Sequence, residues 1–553
     1  MGSMLVLHPY VVPNATQEGR HGLVKGAYIG CYLAAKLIEN EILLNLGATN
    51  MKKILPVAVL SALAGVNGAQ AVHLNPDGLG EVLLYPYYTV EGSQDTYIQV
   101  VNTTMHTKAV KVRFREALNS QEVLDFNLYL SPYDHWSAVI TRGDTDAAVI
   151  ITADNSCTVP NALSDGNAIS FRNTDYLTDS QNGLDRTREG YVEMIDMGVV
   201  GNAAVADPTR QYSTFATHVQ PAGVPASCAG LQAAWNAGGY WSTTDQRDAV
   251  TAAIGGLYGY EVIIDSPEGT AGATSAVALD DFDGNTALHF PPGTSSPGLG
   301  DSAGPASVIN GTSIWTGTGL SVASGLGNGA IDTVTAVLSR RSIVNDFILE
   351  PSLNAGTDWT VVWPTRFEYI MNPVAATALT PAHFVAKPPF VTGWNPATSK
   401  ACEPIDIVYY NREELGVTPD EVDFSPAPPG DTFELCAEAN VLTFDSSDVL
   451  EASSRGLRTN LEMADSHPNG WLSMSFNPGA TYTRAITLQQ SLLSGQPLEG
   501  QYVHFVGLPT IGFAFFQYQN GTSADGVLRN YAAMVRHKAT RSIWSDNASS
   551  VQP

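Results

Sequence analysis

"KAVKVRFRE", residues 108–116, alternates strictly: Val110, Val112 and Phe114 fall on one side of an extended chain, Lys111, Arg113 and Arg115 on the other. A period of two is the signature of a β-strand with one apolar and one polar face. It predicts one face in a core and the other in water. The pattern recurs around it between Glu81 and Ile140, in "TYIQVVNTT" (96–104), "EVLDFNLYLS" (122–131) and "HWSAVI" (135–140). Turn-prone "TTMHT", "LNSQ" and "SPYD" separate these runs. Short strands at this spacing, rich in Val, Ile, Phe and Tyr, predict a mainly β protein built of antiparallel, Ig-like β-sandwich domains.

Strand signals return after residue 336, in "DWTVVWPTRFEYI" (358–370), "DIVYYNREE" (406–414), "FELCAEANVLTF" (433–444), "GWLSMSF" (470–476) and "QYVHFVGLPTIGFAFFQYQN" (501–520). Pro364 implies an edge strand or a bulge, because proline cannot donate to a ladder. The run 503–519 is apolar almost throughout and reads as buried on both faces. Between the two strand-rich parts, residues 201–335 are loaded with Gly, Ala, Ser, Thr and Pro, as in "HFPPGTSSPGLGDSAGPASVINGTS" (289–313). This stretch reads as long loops and short elements decorating the first sheet. "TTDQRDAVTAAIGGLYG" (243–259) suits a short capped helix, and "GYEVIIDSPEG" (259–269) a strand entering a turn. The division is therefore a 72–200 N-terminal β-sandwich, a 201–335 loop-rich insertion with short helices, and a 336–553 C-terminal β-rich domain. No fixed-period repeat points to a solenoid or propeller.

Ahead of the sandwich stands "MKKILPVAVLSALAGVNGAQA" (51–71). Lys52 and Lys53 precede an apolar run, Ile54 to Val66, and Ala69-Gln70-Ala71 offers small residues where a signal peptidase cuts. This is the grammar of a Sec-type signal peptide, and the run is too short for a membrane-spanning helix of about 20 residues. Residues 1–50 then read as a leader from a start placed too early, with Met51 the first residue. Export sets the compartment: cell surface or extracellular space, or the periplasm.

Charge and cysteines agree with export. The chain carries 28 Lys+Arg against 54 Asp+Glu, a formal net charge of −26. Such a field disfavours nucleic acid and anionic lipid as partners and suits loose binding of divalent cations. Cys157, Cys228, Cys402 and Cys436 follow the signal, an even number in an oxidising compartment, so two disulfides are expected. Of the three connectivities, the sequence-local Cys157–Cys228 and Cys402–Cys436 is favoured. No Cys/His spacing suggests zinc.

Three motifs resemble chemistry. "GDSAGP" (300–305) matches G-x-S-x-G, but a nucleophilic Ser302 needs a strand before it and a helix after it, and both flanks read as loop. "TPAHF", around His383, lies downstream, where the chymotrypsin order has no histidine. "DDFDGN" (280–285) sets Asp281, Asp283 and Asn285 at alternating positions around Gly284, oxygen ligands at a spacing that can wrap calcium, although the register is not that of an EF-hand. A solvated acidic turn is the plainer reading. No cofactor is required, and calcium is the one candidate ion. Carboxylate pairs such as Asp95/Glu116 or Glu413/Glu414 suit a glycosidase, though so acidic a chain holds such pairs by chance. The aromatics of "NAGGYWS" (236–242) could stack on sugars, though core or loop packing is the plainer reading. The histidines stand singly.

The blocks "LNPDGLGEVLLYPYYTV", "VVNTTMHTKAVKVRFREALNSQEVLDFNLYLSPYDHW", "GYVEMIDMG", "TDWTVVWPTRFEYI", "YNREE", "LCAEANVLTF" and "LPTIGFAFFQYQNG" resemble a family of exported proteobacterial proteins labelled as cell-surface proteins. The resemblance runs through most of the chain after residue 71 and implies export and a β-rich extracytoplasmic body. It carries over no catalytic residue, and the 50-residue leader departs from it. The expectation is a non-enzymatic surface or extracellular protein with a structural or adhesive role, self-associating into layers or filaments or binding cell-surface components. The alternative is a secreted polysaccharide hydrolase using a carboxylate pair. An outer-membrane barrel ranks last, because the strands are not regular ten-residue segments and the C-terminal "SSVQP" lacks an aromatic.

Overall fold

The computed structural model describes residues 72–545, apart from 205–206, 303–308, 311–312, 315–319, 324–329, 378–381, 418–432, 456, 478–483, 493–496 and 523–524. The leader and the signal segment lie outside the described residues. The protein is mainly β, with several antiparallel sheets and few, short helices. Among the described residues no helix is long and apolar enough to cross a membrane.

The alternating runs become the strands Gln94–Asn102, Thr107–Glu116, Glu122–Leu130 and His135–Arg142. They divide between two sheets. The first runs in the order His73–Leu74, Val277–Asp280, Val82–Thr89, Glu189–Val200, Thr107–Glu116, Glu122–Leu130, Cys157–Val159. The second runs Thr270–Ser275, Leu257–Asp265, Gln94–Asn102, His135–Arg142, Ala148–Ile151, Ile169–Ser170. Val110, Val112 and Phe114 meet Ile98, Trp136 and Ile140 in a dry core between them, as the period of two requires. The middle stretch supplies three of these strands, at 257–265, 270–275 and 277–280.

A second sandwich follows. Glu403–Asn411, Asn469–Ser475 and Ser342–Ile348 are central in one sheet. Ala439–Phe444, Ala355–Val362 and Phe513–Thr522 are central in the other. Phe347, Trp359, Tyr409, Phe444 and Leu472 fill the space between, and Phe347 stacks on Phe444 with centroids 5.5 Å apart. The same core takes in Val82, Leu84, Tyr87, Tyr191 and Ile195 from the first sheet. The first sheet is therefore covered on both faces.

Four expectations change. The polar side of 108–116 does not face water: Lys111 is 0% exposed and Arg113 1%. Alternation tells that two faces differ, not that the charged one is solvated. Pro364 marks neither edge nor bulge, because the strand ends at Val362 and is central in its sheet. The run 503–519 is buried over most of its length, but left-handed Gly507 and Gly512 divide it into separate strands. No helix forms over 243–259. Helix Tyr240–Thr243 ends there, Val250–Thr251 pairs with the Glu189–Val200 strand, and Ala249, Gly255 and Gly256 have positive φ that a helix cannot accept.

The disulfides are Cys157–Cys228 and Cys402–Cys436, the sequence-local pairing. Cys228 opens helix Cys228–Trp235, whose Ser227 cap accepts from the Gly230 N–H at 3.1 Å. That helix carries Leu231 and Trp235 into a small apolar cluster with Trp241, Tyr212 and Tyr129 at one end of the first sheet. Of the two aromatics of "NAGGYWS", Trp241 is thus a core residue, and Tyr240 lies under the Arg210 guanidinium at 3.9 Å.

Candidate functional site: a charged cleft on the first sheet

Strand register builds the site. Across the first sheet Glu193 lies opposite Arg113 and Arg113 opposite Asp125, while Tyr191 lies opposite Arg115 and Arg115 opposite Glu122. Cross-strand neighbours share a face, so basic residues of one strand meet acidic residues of the two beside it. Arg113 Nε donates to Glu122 at 2.7 Å and its Nη1 reaches Glu193 at 3.4 Å. Arg115 Nε lies 3.7 Å from the same Glu193 carboxylate, and Lys111 bonds Asp125. On the opposite face of the same strands Lys108 donates to Asp196 at 2.5 Å. Each buried cation has a carboxylate, the condition under which burial of charge is tolerated.

Over this lattice the 295–301 loop and the 364–368 segment leave a cleft of about 410 Å³. Arg113, Arg115, Glu122, Tyr191, Glu193 and Glu368 furnish its chemistry. Tyr191 Oη donates to the Pro364 carbonyl at 3.0 Å, tying the first sheet to the second sandwich. A neighbouring cleft of about 570 Å³ shares Glu122, Asp175 and Ser295 with it, so the two form one groove along the Glu122–Phe126 half of its strand. The Cys157–Val159 strand pairs only with Asn127–Tyr129 and leaves that half uncovered.

The two outer carboxylates differ. Burial works to raise Glu122, but Arg113, Arg115 and Lys111 together hold it below the ordinary carboxylate range. Glu368 is pushed up, by desolvation and by Glu193, against the pull of Arg115.

The residues singled out from sequence have other places. Ser302 is buried after the short turn Leu299–Asp301, and its hydroxyl donates to the Phe282 carbonyl at 3.3 Å. His383 is exposed on the strand His383–Val385. In the acidic turn, Asp283 is buried and accepts from the Ala253 and Asn285 N–H groups at 2.6 and 2.8 Å. Asp281 lies 3.3 Å from His73 Nδ1, and Asn285 is exposed. Asp283 is thus held by backbone N–H groups, Asn285 among them, while Asp281 lies against His73. Cys402, Glu434 and Cys436 also cluster closely, but the two sulfurs are bonded to each other. Glu413 and Glu414 are exposed on a turn. Asp95 and Glu116 belong to different sheets. Glu116 is a clamp: its carboxylate accepts from the Leu118, Asn119 and Gln121 N–H groups and from Arg186 at 2.7 and 2.9 Å.

Glu193, Glu122 and Arg115 were not singled out as site residues. Their signal lay in two strands of opposite charge, the basic "KAVKVRFRE" and the acidic "EGYVEMIDMG", which tell only when read together. Comparison with family models, curated proteins and solved structures finds no match to this chain.

Proposed function

We propose that this chain is an exported surface or extracellular β-protein with a structural or adhesive role, meeting its partner through the charged groove of the first sheet. One observation carries the reading. The groove's Glu122 and Glu193 carboxylates are fixed in arginine salt bridges, so it offers rigid donors and acceptors to a polar partner, not a proton free for transfer. The acidic composition and the two disulfides support an extracytoplasmic setting. The partner is a second copy of the chain or a hydroxyl-rich cell-surface component.

The test is light scattering and glycan binding on the purified full chain, with calcium and then with chelator. Growth into large particles, or saturable glycan binding without turnover, is the expected result. A calcium requirement would direct mutation to Asp281 and Asp283. A monomer that binds neither itself nor any glycan overturns the reading.

The opposite displacement of Glu122 and Glu368 within one cleft favours a second reading, a polysaccharide hydrolase. Paired carboxylates of unequal acidity supply a general acid and a base or nucleophile. On that reading the chain releases reducing ends from a glycan, and Glu122→Gln and Glu368→Gln each abolish release while leaving the fold intact.

A further inference from the structure

A second cleft, of about 510 Å³, lies between the 74–76 and 277–278 segments of the first sandwich and the 340–343, 510–512 and 536–541 segments of the second. Arg340, Arg536, Lys538 and Arg541 line it, and no Asp or Glu does. In a chain with nearly two acidic residues for each basic one, four cations around one space without a carboxylate run against composition.

Their bonding is equally one-sided. Arg340 Nη1 donates to the Val337 and Ser339 carbonyls at 3.3 and 3.0 Å. Arg536 Nη2 donates to the Ser275 and Ala276 carbonyls at 2.5 and 2.6 Å. These are neutral acceptors, and they orient the guanidiniums without discharging them. Arg541 Nη1 is buried and has no hydrogen-bond partner among the described residues. Among the described residues none of the four has a carboxylate within 4.0 Å; the buried Glu261 carboxylate acts on Arg536 from farther away, and Arg340 and Arg541 have no such counter-charge. Burial and the Arg541 charge both lower Arg340, and burial lowers Arg541 to about 10. His537 adds no charge: burial pushes it down to about 4, its Nε2–H donates to the Thr360 carbonyl, and Nδ1 accepts from Asn345.

Buried polar groups are satisfied as a rule, and an orphaned one calls for an explanation such as an ion. Buried charges are paired. Guanidiniums facing one space are suited to the planar, multidentate recognition of an oxyanion. We infer that this cleft is a binding site for a phosphate-class oxyanion carried on an organic body. The cations would hold the anionic oxygens, with Arg541 Nη1 as the donor left for them. Leu74, Val277, Ile343 and Ile511 on the same walls would take the carbon skeleton. The shared chemistry comes from two sources, a soluble organic phosphate or an anionic lipid headgroup.

The experiment is calorimetry and thermal unfolding of the purified full chain, titrated at constant ionic strength. Inorganic phosphate, glycerol 3-phosphate and sodium chloride are the three titrants. Co-sedimentation with phosphatidylglycerol/phosphatidylcholine vesicles against pure phosphatidylcholine forms the second arm. The inference expects a saturable rise in Tm with phosphate but not with chloride, and glycerol 3-phosphate at least tenfold tighter. Lys538→Gln, at an exposed position, is expected to weaken binding at least tenfold with the fold unchanged. Arg541→Gln should abolish binding and leave the ligand-free Tm equal or higher, because it removes an uncompensated charge; a merely structural arginine would lower it. Sedimentation only with the anionic vesicles assigns the lipid source, and its absence alongside glycerol 3-phosphate binding assigns the soluble one. No saturable response to any phosphate, or responses that survive both substitutions, overturns the site.

Discussion

The protein holds two arginine-bearing clefts of similar size and opposite electrostatic bookkeeping. Over the first sheet Arg113 and Arg115 face Glu122 and Glu193. Between the sandwiches Arg340 and Arg541 face carbonyls, each other and open space. In the first cleft charge is a building material: it lets a polar sheet face be buried without leaving any charge alone. In the second it is left unspent. The same side chain is thus a structural cement in one place and a recognition element in the other, and only the neighbours tell which.

The sharpest way to break this contrast is to unpair the first cleft. Arg113→Met removes the close partner of Glu122 and leaves Glu193 only the Arg115 cation, at 3.7 Å, and should destabilise the chain by about 3–5 kcal/mol in denaturant unfolding. A neutral outcome would mean that this lattice is not holding the sheet face. The next test concerns a carboxylate on the Glu193 strand that forms no ion pair among the described residues. Buried Glu189 accepts from Tyr87 Oη at 2.6 Å and from the Ser453 N–H, and burial raises it to about 7. Its folded pKa lies above its unfolded one. Its contribution is therefore fully present below about pH 4.5 and lost as pH rises through about 7. Unfolding titrations from pH 5 to 8 should show a loss on the order of 3 kcal/mol in the parent that Glu189→Gln largely removes. An unchanged slope would place that pH dependence elsewhere. Ser302→Ala should cost about 1 kcal/mol and leave any glycan turnover intact; loss of turnover would revive the nucleophile. Lys538→Gln, exposed and unpaired among the described residues, should move ligand-free stability by less than about 0.5 kcal/mol. A larger loss would count the second cleft as structural too.

How legible this was depends on distance along the chain. The strands around 108–116 follow from local alternation, and the disulfides from nearest pairing. The burial of Lys111 and Arg113 was not local: it requires Glu193, eighty residues away from Arg113, and Asp125 to lie on the adjoining strands. The second cleft was more hidden still. Arg340 and Arg541 stand two hundred residues apart, joined only by the closing of the second sandwich. "RHKATR" (536–541) was its one sequence cue, a dense basic run in an acidic chain. The absent helix at 243–259 is the converse case. A start signal and closing glycines were present, but tertiary pairing of Val250 and Thr251 decided against it.

The double coverage of the first sheet has a consequence for how the chain matures. Val82, Leu84, Tyr87, Tyr191 and Ile195 are made early but reach their core only when strands such as Ala355–Val362 and Ala439–Phe444 arrive. Until then the nascent first sandwich carries a bare apolar strip, a form prone to association. The finished molecule inverts that weakness. With one layer serving two cores, neither sandwich can melt without exposing the other, and heating should produce a single calorimetric transition, not two.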